Sequence, residues 1–297
     1  MAFAENDPAA QSQVAAFRGA LAKLGWTEGR NLRIELRWGA GDADRISRFA
    51  KELVELRPDA VVSQTTPVTS ALARETPTIP IVFAVVSDPI GSGFAASLAR
   101  PGGNVTGFTT NEPTIGGKWF ELLKQIAPGI TRVALLFNPA TALAPQRFIS
   151  HIEAAATSHA VQMTVALVHA KDEIEGVIAM QARNPGGGLI VMPDAFFFDV
   201  PTRHLLVELA SHNSVPTVYF DRLFVEAGGL IAYGADFSEQ LRQAAGYVDR
   251  ILKGAKLTDL PIQQPTKYQL AVNLKTSRML GLAIPPALLA TADQVVE

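Results

Sequence analysis

At 297 residues, 48% of them hydrophobic and 18% charged, the chain has material for two ordinary domains with real cores and is not a disordered polymer. Its formal net charge of −2, with no run of Lys or Arg, argues against nucleic acid as the main partner, because phosphate binding draws on a basic surface. Cysteine is absent, which removes thiol catalysis, cysteine-based zinc sites and disulfides together.

In chain order, Val14, Phe17, Leu21 and Leu24 recur at spacings of three and four and predict a helix over 8–24. Leu32, Ile34, Leu36 and Trp38 alternate and predict a strand at 31–38, followed by a helix from Asp42 to Leu56. Ala60-Val61-Val62 is a short buried strand leading into a helix from Pro67 to Arg74. Strands at 79–85 and 105–108 close this set. The alternation then restarts. Helix 115–126, strand 132–137, helix 145–159, strand 161–168, helix 172–182, strand 188–192, helix 202–213, strand 215–219 and strand 230–233 follow one another. A long helix at 237–252, an extended stretch at 262–272 and a short helix near 275–280 complete the chain. Two successive sets of βα units predict two α/β lobes of similar architecture. The longest apolar runs, such as 79–86, fall well short of the ~18 residues that suggest a membrane span.

Open parallel sheets bind ligands beyond the carboxyl ends of their strands, so those loops are where a site is sought. After the strand at 60–62 comes Ser63-Gln64-Thr65-Thr66-Pro67. Thr66 fits an N-cap and Pro67 the first helical position. The helix N-terminus behind them suits a carboxylate. Thr66 can be read as a plain cap, while Thr65 is left to face a ligand. Ser87-Asp88-Pro89-Ile90-Gly91-Ser92-Gly93 follows the strand at 79–86, placed either for ligand contact or simply as a turn. The second set repeats the arrangement with Asn138-Pro139, Met192-Pro193-Asp194 and Tyr219-Phe220-Asp221-Arg222. Asp194 reads either as a charged acceptor for the ligand or as a cap of the helix after it. Polar loops at equivalent places in two lobes point to a small-molecule site between them.

Signatures of chemistry are missing. There is no GxxxxGK[ST], no GxGxxG and no HExxH, and Gly91-Ser92-Gly93 has the wrong spacing for a nucleophile elbow. The histidines at 151, 159, 204 and 212 fall in pairs eight residues apart, about 12 Å along a helix and too far for one metal. No metal, no cofactor and no catalytic residue is therefore expected, and the role expected is binding without turnover.

Four stretches carry a resemblance: ALAKLGWTEGRNLRIELRWGAGD, IPIVFAVVSDPIGSGFAASLARPGGNVTGFT, GGLIAYGADFSEQLRQAAGYVDRILKG and LPIQQPTKYQLAVNLKTSRMLGL. Together they resemble the ABC-transporter substrate-binding proteins of the type I periplasmic-binding-protein group, related to binders of tryptophan and other aromatic amino acids. The resemblance runs nearly end to end, and Asp-Pro-Ile-Gly-Ser-Gly with its trailing PGGNVTG is its most specific part. It implies two Rossmann-like three-layer α/β lobes joined by a three-strand hinge that close on a ligand. Lobe 1 would take 1–110 plus about 236–260, and lobe 2 would take 111–235 and possibly 261–297. The ligand, a small polar or aromatic carboxylate or amino acid, would meet Thr65, Thr66, Ser87, Asp88, Asn138, Asp194, Tyr219 and Asp221. The partners implied are that ligand and the membrane permease of an importer, with no nucleic acid, a monomeric protein and a periplasmic location. A small-molecule-sensing module or a cleft enzyme of the same fold is the alternative.

Two departures stand out. After Asp194, where amino-acid binders of this type often have Asn, come Ala195, Phe196, Phe197 and Phe198, which favours an aromatic or less polar carboxylate. Met1 to Ala4 are also too few for a first central strand of the usual ~5–6 residues. The expectation is a reading frame that continues upstream into an apolar strand and an export signal.

Overall fold

The computed structural model describes residues 1, 3–110, 112–142 and 145–297. Ala2 of the opening segment and Asn111, where the expected lobe boundary falls, lie outside the described residues. The chain divides into two compact units, Met1–Glu112 with Asp236–Thr266 and Pro113–Ala235 with Lys267–Glu297.

The first unit is built on a three-stranded parallel sheet of β1 (Val61–Gln64), β2 (Ile81–Val86) and β3 (Val105–Thr109), in that order. Its helices are α1 (Pro8–Lys23), α2 (Ala43–Glu55) and α3 (Thr66–Glu75), joined by a fourth after the chain returns at Asp236. Alternation along β2 builds the layers. Ile81 and Phe83 pack with Ile46, Ala50 and Leu72 of α2 and α3, whereas Val82 packs on the other face with Leu21 of α1. Ala244, Ala245 and Val248 of the returning helix cover that second face. No strand spans the expected 31–38 among the described residues. The backbone there is bonded instead to the chain start: the Met1 amino group donates to the Arg37 carbonyl at 2.9 Å and Gly39 N–H to the Met1 carbonyl at 2.9 Å. Leu32 makes an isolated parallel bridge with Glu28, and Leu32 and Ile34 pack against the α1 layer. Their alternation records burial of one side of an extended segment, which strand periodicity cannot distinguish from pairing.

The second unit holds a seven-stranded sheet. Helix α4 (Ile115–Ile126) leads into β4 (Arg132–Phe137), α5 (Gln146–Ser158), β5 (Gln162–Leu167), α6 (Ile174–Ala182), β6 (Gly187–Val191), α7 (Val200–His212) and β7 (Thr217–Tyr219). Short helix α8 (Arg222–Glu226) and strand β8 (Ile231–Ala235) follow, then α9 (Phe237–Leu252), which is the returning helix of the first unit. The tail adds β9 (Tyr268–Asn273), α10 (Leu274–Met279), α11 (Pro286–Leu289) and β10 (Gln294–Val296). Strand order is β10-β9-β8-β7-β6-β4-β5, parallel except between β8 and β9. The run β5-β4-β6-β7-β8 is the 2-1-3-4-5 order of doubly wound sheets. Central strands covered on both faces read as unbroken apolar runs, which is why 133–137 and 189–191 are fully buried.

Close backbone approach explains one glycine in each unit. A Cβ on Gly107, at φ +150°, would sit 2.1 Å from the Phe83 carbonyl oxygen, and one on Gly234 would sit 1.8 Å from the Phe220 oxygen. Both neighbours are backbone, which has no rotamer by which to move aside.

Candidate functional site

Strand β1 runs directly into α3. The Thr65 N–H still donates to the Ala84 carbonyl at 3.0 Å, so pairing persists one residue past the strand and the helix begins at Thr66. Thr65, not Thr66, is therefore the N-cap, and Pro67 stands second rather than first in the helix. Thr65 sits at φ +74°, ψ 157°, a conformation costly for a β-branched residue, and its side chain does not cap the helix. Its hydroxyl is buried without a hydrogen-bond partner. The Thr65 carbonyl is engaged by the Thr69 N–H at 3.1 Å and the Thr69 hydroxyl at 2.8 Å. The amides of Thr66 and Val68 have no intrahelical acceptor by helix geometry, so α3 presents donors and a positive dipole end.

After β2, Asp88 closes a turn: its Oδ1 accepts the Gly91 N–H at 2.9 Å and its carbonyl the Ser92 N–H at 3.0 Å. Ser87 is half-buried, its hydroxyl 3.4 Å from that of Thr110 on the neighbouring strand end. The Ser92 hydroxyl is a second buried oxygen without a partner. The first unit thus gathers neutral donors, two of them unsatisfied, and burial of such a group without a bond costs about 1–3 kcal/mol.

In the second unit the strand-end residues bond one another. The Asn138 N–H, after β4, donates to Asp194 Oδ2 at 2.6 Å, and the Phe196 N–H donates to Asp194 Oδ1 at 3.0 Å. The Thr141 hydroxyl also donates to Asp194 Oδ1. Asn138 is itself committed: Oδ1 accepts the Ala140 N–H at 2.8 Å and Nδ2 donates to the His169 carbonyl at 3.2 Å. Asp221 caps α8 by accepting the Leu223 N–H at 2.8 Å. Burial holds the Asp194 carboxyl up to about 6 against the pull of its three hydrogen bonds. Burial likewise holds Asp221 at about 6, opposed by the Leu223 N–H and by Arg222 and Arg203. Tyr219 is a core side chain: its ring stacks on Phe224 at 4.8 Å, and burial pushes its hydroxyl upward against a bond with Thr217. Of the three phenylalanines after Asp194, Phe197 and Phe198 are core, and only Phe196 is half-buried.

The structure therefore brings Asn138 and Asp194 into direct contact and sets Ser87 beside Thr110. It places Thr65 and Thr66 at one helix start. Thr141 and Thr110 escape sequence reasoning, and Ser92 enters it only as part of the 87–93 loop. Thr141 had a visible signal, since a hydroxyl three residues after a strand-end Asn-Pro suits a turn, but nothing named its partner on another strand. Among the described residues no cluster of three metal-ligating side chains occurs, and no helix is long and apolar enough to cross a membrane.

Comparison with known proteins fits this frame. The tyrosine-binding protein of Clostridioides difficile (strain R20291) is 23% identical over 273 residues, 90% of this chain and 75% of that protein. A conserved domain protein of Vibrio cholerae O1 biovar El Tor superposes with a TM-score of 0.88 at 27% identity, covering 97% of this chain and 95% of that one. An ABC domain from Streptococcus pneumonia, solved in complex with L-Trp, also gives 0.88, at 25% identity and with 97% and 96% covered. The fold is that of the two-lobed α/β periplasmic binding proteins. The profile of the family described as ABC transporter substrate binding protein matches residues 2–296, and the chain belongs to that family.

Proposed function

We propose that the protein is the solute-binding component of an ABC importer and that its ligand is a small aromatic carboxylate, an aromatic amino acid being the nearest example. The carboxylate is taken in the first unit by the α3 N-terminus, with the Thr65 hydroxyl and the Ser87 loop as further donors. The observation that carries this reading is the Thr65 hydroxyl: buried, unpartnered and held on strained backbone at a helix start that no side chain caps. Strain of this kind persists where surrounding structure enforces it, and it concentrates at ligand clamps. In the second unit Asn138 and Asp194 shape the loop that carries the half-buried ring of Phe196, and Asp221 caps α8. The L-Trp and tyrosine binding named for two similar proteins supports the aromatic part of the reading. Within this proposal the protein works as a monomer in the periplasm, delivers its ligand to a membrane permease and performs no chemistry. Native mass spectrometry of protein purified without denaturation tests it. An adduct with the mass of an aromatic carboxylate or amino acid, displaced by added L-tryptophan, is expected. A retained sugar that L-tryptophan does not displace would overturn it.

A further inference from the structure

Strand β2 does not run straight to its end. Phe83 lies opposite Gly107 and Val86 opposite Thr109, so Ala84 and Val85 together face the single residue Phe108. This is a β-bulge, and Val85 within it sits at φ +60°, an uncommon conformation for a β-branched residue. The extra residue flips the alternation: Val86 joins Ile81 and Phe83 on the α2–α3 face, where an unbulged strand would have placed Val85. Everything after it, Ser87 and Asp88 included, is turned over with it.

One side chain is built to hold this bulge. Gln240 of α9 is buried, and its Oε1 accepts the Val85 N–H at 2.9 Å while its Nε2 donates to the Thr109 carbonyl at 2.9 Å. Only this orientation of the amide satisfies both backbone groups, since the flipped one would set N–H against N–H and oxygen against oxygen. Gln240 replaces the ladder bonds that the bulge removes from the ends of β2 and β3. The neighbouring bonds, Thr65 N–H to the Ala84 carbonyl at 3.0 Å and Thr110 N–H to the Val86 carbonyl at 2.9 Å, flank the same bulge on both sides. The bulge therefore sets the Thr65 and Thr110 strand ends as well.

We propose that Gln240 is a positioning residue of the binding site: by bridging Val85 and Thr109 it fixes the β2 bulge and so determines which way Ser87 and Asp88 face. The consequence for ligand affinity rests on the reading that these loops meet the ligand; the consequence for the bulge does not. Gln240→Leu keeps the volume and removes both bonds. Hydrogen exchange of the free protein should quicken at Val85 and through 86–91, with the other strands of the first unit keeping their protection. Affinity for L-tryptophan, the probe used, should fall roughly tenfold, the scale on which one strained backbone position acts. Adding Val85→Gly, which tolerates positive φ without strain, should recover most of that loss. Gln240→Glu, which keeps the acceptor and loses the donor, should fall between. Unchanged exchange at 85–91 in both Gln240 variants would overturn the proposal. So would a uniform rise across the first unit, or a loss of affinity that Val85→Gly leaves as it was. Should the wild-type protein not bind L-tryptophan, the aromatic reading fails, and the exchange pattern still decides the role of Gln240.

Discussion

The strand ends of the two units solve opposite problems with similar-looking polar residues. In the first unit they are mostly hydroxyls and incompletely bonded: Asp88 closes its own turn, but the Thr65 and Ser92 hydroxyls have no partner, and Thr65 and Val85 hold positive φ. In the second unit they are carboxylates already spoken for, with three donors on Asp194 and a helix start on Asp221. A polar side chain after a parallel strand is thus not by itself a ligand contact. The hydrogen-bond accounting separates groups that wait for a partner from groups that build the loop.

The largest effect expected from breaking this contrast is at Asp194. Asp194→Ala leaves the Asn138 and Phe196 amides and the Thr141 hydroxyl without their acceptor and should destabilise the second unit by about 3 kcal/mol. Thermal unfolding should show this as a drop of several degrees. Asp194→Asn, which retains one acceptor oxygen, should lose less. A variant with unchanged melting temperature and abolished binding would reassign Asp194 to the ligand.

The next effect is in pH dependence. Asp221 is held at about 6, above the ordinary carboxylate range, because it is buried. A carboxyl raised in the folded state binds its proton more tightly there than in the unfolded chain. Its contribution is therefore fully present below about pH 4 and is lost as pH rises through about 6. Asp221→Asn keeps an acceptor for the Leu223 N–H and has no charge to desolvate. Its stability relative to wild type should accordingly improve between pH 4 and 7, by on the order of 2 kcal/mol. Chemical denaturation at both pH values checks this, and a constant difference would contradict it.

Smaller effects sharpen the comparison in the first unit. Thr65→Val removes the unpartnered hydroxyl while keeping shape, so affinity for L-tryptophan should fall about fivefold to tenfold, worth roughly 1 kcal/mol or slightly more. Folding stability should stay level or rise, because a buried unsatisfied oxygen is gone. Tyr219→Phe should do least: about 1 kcal/mol or less of stability for one hydroxyl, and no change in binding by calorimetry.

Most of the architecture was legible because periodicity reports burial. The α9 helix at 237–252 and β4 at 132–137 were readable to the residue, since α9 packs a clear apolar face and β4 is an unbroken apolar run after Arg132. The segment 31–38 misled for the same reason: Leu32 and Ile34 are partly buried, yet Leu32 makes an isolated bridge with Glu28 and not a strand. At the site, Thr65 was visible as a hydroxyl beside a helix start, but its φ and its unpartnered state are three-dimensional facts. Asp194 was visible as polar, yet its donors come from Asn138 and Thr141, 56 and 53 residues away. Gln240 was invisible as a site residue. It lies 155 residues from Val85, and a polar position on a helix carries no sign that it faces a bulge.

The central claim is that the α3 N-terminus and Thr65 take a ligand carboxylate, and titration calorimetry with L-tryptophan against L-tryptophan amide tests it most directly. The two differ at the carboxyl group, so an account in which that group meets helix amides and a buried hydroxyl predicts tight binding of the acid. The amide should bind at least about 100-fold more weakly, the scale of losing a charged partner from a buried polar contact. Equal affinity for the two compounds would contradict it.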